Sequence, residues 1–171
     1  MAPVWTIPQL SAASIVANVR LEMLSAEVVL CGIETGAIDT HTAVEIELLR
    51  LLADFTLTEA ELAVAASFRS EEGDVPDLLR RASNTPRDDH TLRLWTFLGV
   101  RAIRQRGRGD VRSMDDEISN FILSMGEVEE YLDFVVFLPR SRFRKKHGSK
   151  SYVDVFDERL KADARLFGWD C

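Results

Sequence analysis

The chain has 171 residues and a mass of 19.3 kDa, the size of one ordinary domain. Hydrophobic residues make up 46% and charged residues 29%, which excludes an intrinsically disordered chain. With 21 Lys and Arg against 28 Asp and Glu, the net charge of −7 argues against nucleic acid as a partner.

Helical periodicity runs through the chain and alternating strand patterns are nearly absent. Ser11–Leu30 reads as helix with a break near Ser25, and Ile15, Val16, Val19 and Met23 share its inner face. Gly32 and Gly36 are stop signals. Asp39 or Thr40 caps a helix to about Asp54, whose expected apolar stripe is Val44, Leu48, Leu51 and Leu52, widened by Ile46 and Leu49. Thr58 and Glu61 have capping-box spacing, and Asp74-Val75-Pro76 opens the next helix.

Asn84-Thr85-Pro86 reads as a turn. A long helix from about Asp88 to Gln105 follows, with Leu92, Trp95, Leu98, Ala102 and Ile103 inside. Gly107 and Gly109 end it, and Ser113 starts a helix whose core face is Ile118, Phe121, Ile122 and Met125. Glu127–Leu138 is expected to be helical up to Pro139, with Tyr131, Phe134, Val135 and Leu138 inside. Arg140–Lys150 reads as a basic loop. Ser151 caps a closing helix over about 152–167, lined by Val153, Phe156, Leu160, Ala164 and Phe167. The expectation is an all-α fold: one compact domain over 1–171, of about seven or eight helices stacked as hairpins.

No apolar run approaches the roughly 20 residues that span a bilayer, so no membrane partner is expected. Met1–Leu10 has no base and no continuous apolar core, so no signal peptide is expected and a cytoplasmic location is the default. Two cysteines are too few for a disulfide framework. Cys31 is expected to pack as a small hydrophobe, and Cys171 to fray.

Charge is unevenly placed. Residues 1–65 hold two bases and nine acids, which accounts for the whole net −7. Asp39, Glu45, Glu47, Asp54, Glu59 and Glu61 lie on consecutive expected helices, where they can form a negative surface for a basic protein. Two basic clusters offer an alternative surface for nucleic acid or a phosphate ligand: Arg101, Arg104, Arg106, Arg108 and Arg112, and then Arg140, Arg142, Arg144, Lys145, Lys146 and Lys150. The bland account of these arginines is that they lie over the core and pair with nearby acids.

Catalytic signals are weak. His41 and Glu45 share a helix face, but four metal ligands cannot be assembled, so no metal or cofactor is expected. Asp88-Asp89-His90 reads as a cap, and Glu129 and Asp133 as part of a solvated face. Gly107-Arg108-Gly109 lacks the spacing of a phosphate loop. No enzyme is expected.

One combination is more specific. Arg93-Leu94-Trp95-Thr96-Phe97-Leu98 leads the long helix, and Asp115-Asp116-Glu117-Ile118 opens the next. Met125-Gly126-Glu127-Val128-Glu129-Glu130-Tyr131 then runs to Phe134-Val135-Val136-Phe137-Leu138-Pro139. From about Trp5 to Phe167 the chain resembles a bacterial family, domain of unknown function 2247. The stretch Gly32–Ile38 is also similar. Ser124-Met125-Gly126 stands where that family carries a Tyr/Phe-Pro dipeptide. The resemblance implies a bacterial cytosolic protein, and small acidic helical proteins of this kind often serve as immunity partners of polymorphic toxins. It supplies no catalytic residues. The expected function is therefore a non-enzymatic protein-binding domain, an immunity protein that meets a basic toxin through its acidic surface.

Overall fold

A computed structural model describes residues 9–67, 72–83, 88–106, 111–126, 128–135 and 140–168, apart from the side chains of 72 and 111–113. These residues form ten α-helices and two 3₁₀ turns, with no strand among them, and the fold is all-α as expected. None of the described helices is long and apolar enough to cross a membrane. The turn expected at Asn84–Pro86, the stops at Gly107, Gly109 and Pro139, and Leu138 and Cys171 lie outside the described residues.

The chain divides into two compact units, Gln9–Thr91 and Leu92 onward. The sequence shows no linker there, because the division falls in the first turn of a helix. In the first unit α1 is Ala12–Val16, α2 Ala26–Glu34, α3 Thr40–Leu52, α4 Glu59–Ala65 and α5 Val75–Ala82. The helix expected over Ser11–Leu30 is broken near Ser25, as expected, and also after Val16, with a 3₁₀ turn at Leu21–Met23 between α1 and α2. Helix α4 packs against both α3 and α5, and α2 packs against α5. Ile15, Val19, Leu24, Val29, Ile38, Ile46, Val64, Val75 and Leu79 are among the buried side chains of this unit. Cys31 is buried and forms no disulfide among the described residues.

Capping residues set the helix starts. The Asp39 carboxylate accepts the Thr42 amide at 2.8 Å, and that backbone hydrogen bond holds its pKa below the usual range. Thr58 and Glu61 form a full capping box on α4. Pro76 sits in the first turn of α5, where its missing N–H costs no hydrogen bond. Helix α3 ends at Leu52, and Asp54 just beyond its C-cap turns the chain with a left-handed φ of 63°.

The second unit holds most of α6 (Asp89–Arg106), then α7 (Val111–Ser124), α8 (Glu129–Leu132), α9 (Arg140–His147) and α10 (Tyr152–Phe167). Asp88 caps α6 by accepting the Thr91 amide at 2.7 Å, and Ser151 caps α10. Helix α6 is buried nearly all round: Leu94, Trp95, Phe97, Leu98, Val100 and Ile103 are enclosed, while Leu92 and Ala102 are only half-buried. Gly99 makes this possible, since a Cβ there would lie 2.0 Å from the Phe121 ring of α7.

Three expectations need correction here. Glu127–Leu138 is not one helix among its described residues. Only the single turn of α8 is helical, although Tyr131, Phe134 and Val135 are buried as expected. In α10 the buried residues are Val155, Phe156, Asp163 and Phe167, and Val153 is exposed. The face is turned because Asp163 goes inward to Arg93 and to the Tyr131 hydroxyl, 2.6 Å away. Arg140–Lys150 is not a loop, because Arg140–His147 forms α9. Residues of α9 one helical turn apart converge on a single carboxylate, and Gly148, with a φ of 63°, ends the helix.

Candidate functional site

The six acids expected to form one surface separate into two groups. Asp39, Glu45, Asp54 and Glu59 are exposed, whereas Glu47 and Glu61 are buried and cannot touch a partner. The reason is Arg50. One of its terminal nitrogens donates to Glu47 and to Glu61, at 2.8 Å each, and the guanidinium lies over the Phe55 ring.

The two carboxylates differ in their surroundings. Glu61 also accepts the backbone N–H of Thr58 at 2.7 Å and its hydroxyl at 2.8 Å. Burial pushes the Glu61 pKa up, but these hydrogen bonds and Arg50 outweigh it and hold the group below its ordinary value. Glu47 is 0% exposed, and its Oε1 has no hydrogen-bond partner among the described residues. Burial, reinforced by the Glu61 charge and opposed by Arg50, pushes Glu47 up to about 7. With Glu47 protonated, Arg50 and Glu61 make a neutral pair.

This triad turns α3 over. Its inner face is Thr42, Ala43, Ile46, Glu47 and Arg50 rather than the expected leucine stripe. Leu48 (42% exposed), Leu51 (40%) and Leu52 (72%) face outward, and Leu62 of α4 is 42% exposed. Residues 48, 51 and 52 lie three and four apart and make one ridge. Glu45 stands one turn before it and pairs with His41 at 3.6 Å, Asp54 follows it, and Glu59 stands one turn before Leu62. A groove of about 500 Å³ runs between α4 and α5, with Ala60, Ala63, Leu78 and Ala82 on its walls and Glu59 and Arg81 at its rim. No group of three or more His, Cys, Asp or Glu could hold a metal among the described residues.

The two basic clusters also differ. In the first, Arg101 lies over the Phe97 ring, Arg104 faces Asp157 at 3.8 Å, and Arg106 pairs with Glu117. Arg93, on the same helix, is tied to Asp163 and Glu130. These arginines serve the second unit's own packing, as the bland account expected. Arg108 and the Arg112 side chain lie outside the described residues. In the second cluster, Asp133 gathers Lys146 at 2.8 Å, His147 at 2.9 Å and Arg142 at 3.7 Å. Burial raises the Asp133 pKa, but hydrogen bonds from Lys146 and His147 outweigh it and leave it below the ordinary value. Lys150 pairs with Glu158 at 2.8 Å. Arg140, Arg144 and Lys145 are exposed, with no ion-pair partner among the described residues.

Sequence reasoning missed the leucine ridge and the two carboxylates shared by Arg50. The capping-box spacing did place Glu61 at the start of α4. Nothing local showed that its second oxygen would reach Arg50, 11 residues away. No protein family, curated protein or solved structure was found to match the chain.

Proposed function

We propose that the chain is a non-enzymatic protein-binding module whose first unit docks a basic, amphipathic protein surface. The observation that carries this reading is the exposed ridge of Leu48, Leu51 and Leu52 beside exposed Glu45 and Asp54. The largest apolar patch on a monomeric surface is often a functional one. Burying a fully exposed leucine is worth roughly 1.5–3 kcal/mol, and these three, 40–72% exposed, would gain about half of that each, so the ridge supplies affinity. The acids around it supply orientation and association rate toward a partner whose apolar patch is bordered by Lys and Arg. The first unit carries 6 Lys and Arg against 15 Asp and Glu, which favours such a partner at long range. In its specific form, implied by the resemblance to domain of unknown function 2247, the module is a cytoplasmic bacterial immunity protein and the partner a toxin it neutralises.

The test is a photo-crosslinking side chain in place of Leu52, introduced in the organism that makes the chain. The expected result is an adduct with one basic protein, lost in a Leu48→Ser/Leu51→Ser background and absent when the crosslinker replaces exposed Ala13. No adduct at position 52, or an adduct with an acidic protein, would overturn the reading. For the immunity form, cells without the chain should be killed by the trapped protein. Rescue should need the intact ridge.

A further inference from the structure

We propose that the outer face of α9 binds the phosphate backbone of double-stranded nucleic acid without reading its sequence. This surface belongs to the second unit and is independent of the leucine ridge. The net charge of −7 hides it, because the first unit is −9 and the second, with 15 bases against 13 acids, is +2.

Helix α9 is built to hold cations outward. Arg142, Lys146 and His147 are drawn to Asp133, which is only 3% exposed and ties the helix to its unit. Phe143, the only apolar residue of α9, is half-buried, its ring 4.8 Å from His147 and 5.9 Å from Tyr152. That leaves Arg140, Arg144 and Lys145 exposed, with Arg140 and Arg144 one turn apart. The anchored residues Arg142 and Lys146 flank them and are themselves about half exposed.

The absence of exposed apolar side chains on α9 selects the partner. A protein interface is organised around buried apolar or aromatic anchors, and this face offers none. A membrane-surface helix needs an apolar face to enter the lipid, which α9 lacks. Single strands are held by stacking on exposed aromatic rings, and the one ring here is committed to Tyr152 and His147. A purely cationic, arginine-rich face suits phosphate oxygens, which guanidinium groups grip with paired hydrogen bonds. Eight helical residues span about 12 Å, close to the width of a major groove.

The experiment measures binding of the full chain to a labelled, mixed-sequence duplex by fluorescence anisotropy across salt concentrations. Three phosphate contacts predict a log–log salt slope of about −2.7, or about a 40-fold loss of affinity between roughly 50 and 200 mM salt. A scrambled duplex should bind equally. Arg140→Gln/Arg144→Gln/Lys145→Gln should abolish binding while circular dichroism stays unchanged, since these side chains make no ion pair among the described residues. Arg144→Gln alone should flatten the slope by about 0.9, and this keeps the test decisive should the triple variant misfold. Lys161→Gln/Arg165→Gln, exposed cations on α10, should change nothing. The proposal is overturned by no binding at low salt, by equal binding of the triple variant, or by tighter binding to polyglutamate or to phosphatidylserine vesicles than to the duplex.

Discussion

Glu47→Gln is expected to stabilise the first unit at alkaline pH and to do little at acidic pH. Glu47 is enclosed, keeps one oxygen without a hydrogen-bond partner among the described residues, and shares a single arginine nitrogen with Glu61. The charged groups facing it are Arg50 on its own helix and Glu61 on α4. Its pKa is about 7 in the folded chain against an ordinary 4.5. Between those values the folded state keeps a proton that the unfolded state has released, so stability falls as pH rises through this window. At one unit per 1.36 kcal/mol the ionised carboxylate costs about 3 kcal/mol by pH 8, of which about 1 kcal/mol is already present at pH 5.

Glutamine mimics the protonated form, accepts from Arg50 through its carbonyl, and leaves Arg50 and Glu61 as a neutral pair. The assay is amide hydrogen exchange in α3 and α4, read as local opening free energies with variant and wild type compared at the same pH. At pH 8 the variant should exchange about a hundredfold more slowly or better. At pH 5 the gain should shrink to a few-fold. Equal gains at both pH values would refute the assignment of the titration to Glu47. A variant less stable at both would show that the ionised carboxylate is favourable where it sits.

Two further outcomes test the second unit. Asp133→Asn removes the charge that holds α9, so trypsin should cut after Arg142 and Arg144 about tenfold faster, the size expected from losing one charged hydrogen bond. In the wild type the protection of the α9 amides from hydrogen exchange should be lost as pH falls below the ordinary carboxylate range, because the Asp133 pKa is depressed on folding. An unchanged cutting rate in the variant would show that α9 is held by something else. Gly99→Ala should lower stability by roughly 1–3 kcal/mol, since its Cβ would overlap the Phe121 ring, and adding Phe121→Leu should return part of it. Additive losses in thermal melts would count against that contact.

Most helix starts were legible because a cap is a local event; Ser113 is an exception, since α7 already begins at Val111. Asp39, Thr58 with Glu61, Asp88 and Ser151 each need only a backbone N–H three residues on, and each does in the structure what its spacing implied. Faces were less legible, because burial depends on partners far along the chain. Ala43, Val44, Ile46, Leu48, Leu49, Leu51 and Leu52 put apolar residues all around α3, so periodicity alone offers more than one inner face. The choice is made by Arg50, which has its second carboxylate on α4. Helix α9 has the same cause. Its cations repel one another as an isolated segment, and the carboxylate that makes the helix tolerable is Asp133, seven residues before its start.

The acidity of the first part of the chain therefore has two physical roles that composition merges. Glu47 and Glu61 are spent on Arg50, and their charge never reaches the surface. Of the other acids on α3, α4 and their ends, Asp39, Glu45, Asp54 and Glu59 do reach it, and the last three border leucines rather than forming a field of their own. A partner held by charge alone would lose most of its affinity in high salt. A partner seated on the ridge would lose association rate and keep a slow dissociation, because apolar contact is little affected by screening. The salt dependence of the two rate constants thus separates a field of acids from a ridge with an acidic border, and the burial of Glu47 and Glu61 argues for the ridge.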